Sequence, residues 1–81
     1  MTNAQPSLSP VLHDIHVSVV SAEEASLGVA EFWSGDRMIG FTRVEEGDLT
    51  LRIGPSPDGV VLGAHSLAEA LAEANRLLAL H

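Results

Sequence analysis

The sequence predicts an α+β fold: a meander of four antiparallel strands, or five, with one C-terminal helix packed on one face of the sheet. Apolar and polar residues alternate with the period of a strand over most of the chain before residue 54. Two short turn signals, Gly35-Asp36 and Glu46-Gly47, divide this region. The C-terminal segment instead repeats its leucines at helical spacing.

The length of the chain limits it to one small domain. A chain of 81 residues buries only about 60–65% of its unfolded surface, so its margin of stability is narrow. Hydrophobic residues make up 46% of it, which excludes a fully disordered protein. Pro6 and Pro10 lie in a polar stretch without periodicity. We therefore expect a flexible tail over residues 1–10 and a single domain over residues 11–81.

The charge balance bears on the class of partner. Eleven acidic residues stand against four arginines and no lysine, for a formal charge of −7. Binding to a phosphate backbone needs a basic face, so we expect no nucleic-acid partner. No apolar run approaches the ~20 residues of a membrane helix, and the N-terminus lacks the pattern of a signal peptide. These features predict a cytoplasmic protein without membrane contact, and the composition is typical of bacteria with GC-rich genomes.

The first predicted strand covers residues 12–20, where Ile15, Val17 and Val19 alternate with polar residues. Residues 21–26 interrupt this pattern. Ser21 precedes Glu24 with the spacing of a capping box, so this segment forms either one helical turn or a six-residue loop.

The turn at Gly35-Asp36 joins predicted strands at residues 27–34 and 37–45. A two-residue turn there places Ser34 opposite Arg37. The pairs that follow from this register are Trp33 with Met38, Phe32 with Ile39, Ala30 with Phe41, and Leu27 with Val44.

The turn at Glu46-Gly47 leads to a strand at residues 48–53. It places Glu45 opposite Asp48, an unfavourable like-charge pair that a longer turn would relax. The other expected pairs are Val44 with Leu49, Thr42 with Leu51, and Phe41 with Arg52.

The C-terminal segment predicts a loop followed by a helix. The loop covers residues 54–59, and residues 60–62 form either an edge strand or a lead-in to the helix. A helix is expected over residues 66–80, with Ser66 as its N-cap and Glu69 completing a capping box. Its buried stripe comprises Leu67, Leu71, Ala74 and Leu78, flanked by Ala70 and Leu77, and Ala68, Ala72 and Ala79 form a side of small residues.

The registers sort the hairpin residues onto two faces of the sheet. The face assigned to the core carries Leu27, Val29, Trp33, Met38, Thr42, Val44, Leu49, Leu51 and Ile53. The opposite face should be polar, because a single helix covers only one side of a sheet. It nevertheless carries Phe32, Ile39 and Phe41, flanked by Arg43 and Arg52. Exposed apolar patches of this kind mark interaction sites, so these five residues form the predicted interaction surface.

Two alternatives to that surface stay open. The N-terminal segment or the proline-containing loop could bury the patch within the same chain. A slip of one residue at Gly35-Asp36 would exchange the two faces, because successive side chains of a strand point to opposite sides.

The sequence offers little for catalysis or metal binding. The chain has no cysteine. His13 and His16 are three residues apart, so on one continuous strand they would point in opposite directions. No matched nucleophile and base is evident. We therefore predict no enzyme activity, no cofactor and no metal site; a small enzyme or ligand-binding protein with a site at a subunit interface is an alternative.

The nine residues at 63–71, GAHSLAEAL, resemble the strand-to-helix step of HicB-like antitoxins. Members of that family are small domains of an antiparallel sheet and a helix that neutralise an RNA-cutting toxin. The resemblance implies a regulatory partner of an enzyme as an alternative function.

The function predicted from the residues is a non-enzymatic protein-interaction module. It would use the outer face of its sheet to self-associate, as a homodimer, or to bind another protein.

Overall fold

The α+β class is confirmed in the computed structural model of the protein, which describes residues 11–54 and 61–81. The predicted tail at residues 1–10 and all but Gly54 of the predicted loop lie outside the described residues. In chain order the elements are β1 (Val11–Leu12), β2 (His16–Ser18), α1 (Ala22–Ser26), β3 (Glu31–Ser34), β4 (Arg37–Glu45), β5 (Asp48–Ile53), β6 (Val61–Leu62) and α2 (Ala64–Ala79).

Four strands form an antiparallel sheet in the order β2-β3-β4-β5, which is the expected meander. The predicted strand over residues 12–20 is wrong as one element. Its first part, β1, pairs in parallel with β6, and only β2 joins the sheet. The alternative of an edge strand at residues 60–62 is therefore partly right, since Val61 and Leu62 pair with β1 in a separate two-stranded sheet.

The β4–β5 hairpin has the register that its turn predicts. The observed pairs include Val44 with Leu49, Thr42 with Leu51, and Glu45 with Asp48. Glu46 and Gly47 have φ angles of 53° and 84°. Positive φ at both central residues defines a type I′ turn, whose twist matches that of the flanking strands.

The β3–β4 hairpin departs from the predicted register two residues beyond its turn. Ser34 pairs with Arg37 and Trp33 with Met38 as expected, but Phe32 pairs with Gly40 instead of Ile39. Ile39 is thus an extra residue on β4, which is the defining property of a β-bulge. Ala30 consequently does not pair with Phe41, whose partner is Glu31.

The two helices have different N-terminal caps. At α1 the Ser21 hydroxyl accepts a hydrogen bond from the Glu24 amide at 3.1 Å, so the helical alternative for residues 21–26 is confirmed. The predicted cap of α2 at Ser66 is wrong. This helix begins at Ala64 after Gly63, and the Leu67 amide donates to the Gly63 carbonyl at 2.8 Å. Pairing of β6 with β1 ends at Leu62, which leaves the next residues free to start the helix.

The core lies between α2 and one face of the sheet. Its buried apolar residues are Ala30, Phe32, Ile39, Ala70 and Ala74, and partly buried leucines of α2 surround them at positions 67, 71 and 78. The predicted assignment of faces is therefore wrong for the β3–β4 hairpin. Phe32 is only 1% exposed and Ile39 only 4%, because the bulge turns both toward the helix.

Thr42 is the buried polar residue of the described core. Its hydroxyl donates to the Gly28 carbonyl at 2.7 Å and accepts from the Ala30 amide at 2.9 Å. The Thr42 amide in turn donates to the Ala30 carbonyl at 2.9 Å. One side chain thus satisfies two backbone groups at the point where the chain enters β3, and so holds that segment against β4.

Candidate functional site

The sheet has one face that α2 does not cover, and we call it the open face. Cross-strand pairing places on it the apolar side chains of Trp33, Met38 and Phe41. None of the three belongs to the core cluster. The charged and polar members of the open face on these strands are Glu31, Arg43, Glu45, Asp48, Thr50 and Arg52.

Trp33 and Met38 form the end of the open face nearest the β3–β4 turn. They are paired across the two strands, and Met38 is 44% exposed. The indole Nε1 of Trp33 donates to Glu31 Oε1 at 3.1 Å. This bond holds the ring along its own strand, because residues two apart on a strand lie on the same face. A half-buried indole with its polar group satisfied presents mainly carbon to a partner.

Phe41 lies at the centre of the open face, on the long strand β4. Its partner across β5 is Arg52, and Arg43 follows two residues along the same strand. Both arginines are exposed, whereas Phe41 is half-buried. Aromatic residues and arginine are enriched at protein interfaces relative to the rest of the protein surface.

A network of polar contacts fixes Arg52 beside Phe41. Arg52 Nε donates to Glu45 Oε2 at 3.1 Å, and the Thr50 hydroxyl lies 3.1 Å from Glu45 Oε1. Hydrogen bonds from Arg52 and then Thr50 hold the pKa of the Glu45 carboxyl below its ordinary value. Among the described residues, no ion pair engages Arg43. On the open face, Arg52 is therefore paired with a carboxylate, whereas Arg43 has no ion-pair partner in the part of the chain that the structure describes.

The structure brings together only part of the predicted interaction surface. Phe41, Arg43 and Arg52 lie on the open face as expected. Phe32 and Ile39 do not, because both are core residues. The alternative that the chain itself buries the patch thus holds for these two. Both belong to one core cluster with Ala70 and Ala74 of α2, and N-terminal residues pack against that cluster, namely Leu12, Ile15, Val17 and Val19.

The sequence predicts Trp33 and Met38 as core residues, and this prediction is wrong because both lie on the open face. Gly40, in the middle of β4, is the sequence feature that indicates the bulge and so the face on which these two residues lie. A glycine inside a strand often marks a bulge or a close approach of two backbones. A Cβ at Gly40 would collide with the carbonyl oxygen of Arg52.

A groove of about 450 Å³ lies between the β1–β2 segment and α2. Its lining includes both nearby histidines, His13 and His16, which the sequence placed on opposite sides of one strand. That expectation is wrong because residues 13–15 separate two short strands. The remaining lining residues are Asp14, Ile15, Val17, Ser66, Glu69, Ala70 and Glu73.

The groove contains the residue types of an acid–base site without the contacts that such chemistry uses. No hydrogen bond joins Ser66 to a histidine within residues 11–54 and 61–81. Glu73 is paired with Arg76, whose NH2 group is 2.6 Å from its Oε2. In the same ranges, no group of three or more histidine, cysteine or acidic residues is arranged to hold a metal ion.

No family model, curated protein or solved structure matches this chain. No helix in the described part of the chain is both long enough and apolar enough to cross a membrane.

Proposed function

We propose that this chain is a small, cytoplasmic, non-enzymatic module that binds another protein through the open face of its sheet. The observation that carries the proposal is the group of Trp33, Met38 and Phe41 on the side of the sheet opposite α2. A sheet with one covered face is expected to be polar on the other, and this one is not.

The composition of the open face favours a protein partner over other ligands. The open face carries two aromatic residues, one methionine and two arginines. All of these residue types are enriched at protein interfaces. Methionine adapts its shape to different surfaces, which suits it to the edge of a contact. The overall charge of −7 disfavours nucleic acid.

The chemistry of the partner follows from the two arginines. The partner presents an apolar side chain to Phe41 and a carboxylate within reach of Arg43, which has no ion-pair partner in the described chain. A carboxylate can accept two parallel hydrogen bonds from a guanidinium group, which gives such a contact direction as well as strength.

The test uses Phe41→Asp as the disrupting variant. Wild-type protein and variant serve as baits for capture from a lysate of the source cells, and each captured protein is then purified and titrated. Trp33 is the only tryptophan of the chain, so its emission reports directly on occupancy of the open face. We expect a shift of Trp33 emission with the wild type and an affinity at least about tenfold weaker with Phe41→Asp.

Leu80→Asp is the matched control, because Leu80 is 69% exposed and lies beyond the end of α2. It introduces the same charge at an apolar residue outside the sheet. Circular dichroism verifies the fold of both variants. The proposal fails when every purified partner binds Phe41→Asp and Leu80→Asp equally well.

The second candidate is the antitoxin-like function. The strand-to-helix step of the resemblance is present as β6, Gly63 and α2. In this case the partner is an RNA-cutting enzyme encoded by the neighbouring gene. Co-purification of the two gene products, with loss of RNA cleavage in the complex and recovery with Phe41→Asp, is the expected result. A neighbouring gene product that neither binds nor cuts RNA contradicts this candidate.

A further inference from the structure

We infer that two copies of this chain pair through their β5 strands, antiparallel and centred on Thr50, to form one continuous eight-stranded sheet. This inference concerns the edge of the sheet, and it does not depend on what binds the open face. The observation that carries it is a symmetric sequence on an edge strand with which no further strand of residues 11–54 and 61–81 pairs.

Strand β5 is one edge of the four-stranded sheet. The Gly54 amide donates to the Ile39 carbonyl of β4 at 2.9 Å. Because backbone groups alternate in direction along a strand, the even-numbered residues of β5 face β4. The amides and carbonyls of Leu49 and Leu51 therefore face away from it, and no strand within the described ranges pairs with them. Such an edge is a template for pairing with another chain.

The sequence of β5 is complementary to itself when read antiparallel. Residues 48–52 are Asp-Leu-Thr-Leu-Arg. With Thr50 on a two-fold axis, Leu49 lies opposite Leu51 of the second copy, and Asp48 lies opposite Arg52 of the second copy. The symmetry repeats each pair, so two leucine pairs and two ion pairs form at once.

The backbone pattern agrees with this register. Leu49 and Leu51 carry the outward-facing groups, so each leucine pair exchanges two hydrogen bonds. The intervening pairs, Thr50 with itself and Asp48 with Arg52, are then of the non-hydrogen-bonded kind. Side chains lie closest in such pairs, which favours the contact between opposite charges.

The pairing also relieves an unfavourable contact inside each chain. Glu45 lies opposite Asp48 at the end of the β4–β5 hairpin, and Arg52 already bonds to Glu45. Asp48 has no ion-pair partner in the described chain. Arg52 of the second copy supplies one. A register shifted by two residues, with Leu51 on the axis, would leave Asp48 opposite Gly54, so the charges select the Thr50 register.

The apolar side of β5 gains from the same arrangement. Leu49 is 38% exposed, and Val44 beside it on β4 is exposed as well. A second β5 covers part of this surface with its own leucines. The open face stays uncovered in both copies, and the two-fold axis places both open faces on the same side of the joined sheet.

The first measurement is the native mass by light scattering over a dilution series. We expect twice the 8.5 kDa mass of the chain, and dissociation on dilution. Asp48→Arg should raise the dissociation constant at least about tenfold, because arginine then faces arginine twice. This variant places arginine opposite Glu45 within each chain, so its fold is maintained. Arg52→Asp should weaken the dimer similarly, and Asp48→Arg combined with Arg52→Asp should restore it.

Asp36→Arg is the control for charge, because it makes the same change in the exposed turn between β3 and β4. Geometry is tested separately by cross-linking, since the natural chain has no cysteine. Thr50→Cys places two thiols opposite each other at a separation suited to a disulfide, whereas Leu49→Cys does not. We expect rapid oxidation to a covalent dimer only with Thr50→Cys.

Three results would overturn the inference: a monomer at every concentration, a dimer indifferent to Asp48→Arg, or equal cross-linking of the two cysteine variants. The outcome is independent of the proposed function. Phe41→Asp should leave the mass unchanged, because Phe41 lies on the inner strand β4.

Discussion

The two hairpins that share β4 close with turns of the same length but pair their strands differently. The β4–β5 hairpin keeps one register from its turn to Gly40, whereas the β3–β4 hairpin changes register after its first two pairs. The bulge lets β4 place Ile39 and Thr42 in the same core, although residues three apart on a regular strand face opposite sides. A single inserted residue thus decides which apolar side chains stabilise the fold and which remain available for a partner.

The largest expected difference in stability is between alanine substitutions at the two phenylalanines. Phe32→Ala should lower the free energy of unfolding by about 3–5 kcal/mol, because it empties a fully buried site. Phe41→Ala should cost about 1 kcal/mol or less, since Phe41 is half-buried on the open face. Urea unfolding followed by circular dichroism measures both. Equal losses would mean that the faces are assigned wrongly.

The close approach of β4 and β5 beside the bulge is tested at Gly40. Gly40→Ala should destabilise the domain by about 3 kcal/mol, because the new Cβ meets the backbone of β5 rather than a mobile side chain. Gly47→Ala is the matched control in the regular hairpin. It adds a Cβ in open space at positive φ and should cost about 1 kcal/mol. Thermal unfolding of the two variants should therefore differ clearly, and a smaller loss at Gly40 would contradict the close approach of β4 and β5.

The contact that joins the start of β3 to β4 is tested at Thr42. Thr42→Val keeps the shape of the side chain but leaves the Gly28 carbonyl and the Ala30 amide without their partner. We expect a loss of about 2 kcal/mol in the free energy of unfolding. Thr50→Val removes a half-buried hydroxyl near the surface of the regular hairpin, where solvent can replace its bonds to Arg43 and Glu45, and should cost less. Chemical denaturation gives both values, and a Thr42→Val protein as stable as wild type would exclude the proposed role.

The smallest effect concerns Glu45. Because folding lowers the pKa of this carboxyl, the folded chain binds fewer protons there than the unfolded chain. Its contribution to stability is present above the ordinary pKa of glutamate and is lost as the pH falls through the lowered value. Carboxyl titration by nuclear magnetic resonance should show the pKa of Glu45 rising in Arg52→Ala. The pKa of Glu73, which Arg76 lowers, should not change; a shift there would indicate a wider rearrangement.

Turn chemistry and alternation were sufficient to predict β4 and β5 with their bounds and register. Glu46-Gly47 adopts the positive φ angles of a type I′ turn, and this choice depends on residues adjacent in sequence. The capping interaction of α1 is equally local, since Ser21 and Glu24 are three residues apart. Local chemistry of this kind can be inferred without the rest of the molecule.

The bulge and the N-terminal segment depend on contacts between distant parts of the chain. Gly40 permits the approach of β5, but nothing near it in sequence requires that approach. Likewise β1 separates from β2 because Val11 and Leu12 pair with β6 near the other end of the chain. Phe41, Arg43 and Arg52 were placed correctly because they lie on the regular hairpin. Phe32 and Ile39 were misplaced because they adjoin the bulge.

The parallel pair of β1 and β6 has a consequence for the order in which the protein folds. Val11 and Val61 are about fifty residues apart, whereas each antiparallel hairpin joins neighbours in sequence. Loops of that length close at a greater cost in chain entropy, and non-local contacts of this kind slow folding. We therefore expect residues 11–12 and the first turn of α2 to fold last and to unfold locally first. The Gly63 amide, which donates to the Leu12 carbonyl, should exchange its hydrogen with solvent far sooner than the buried Thr42 amide.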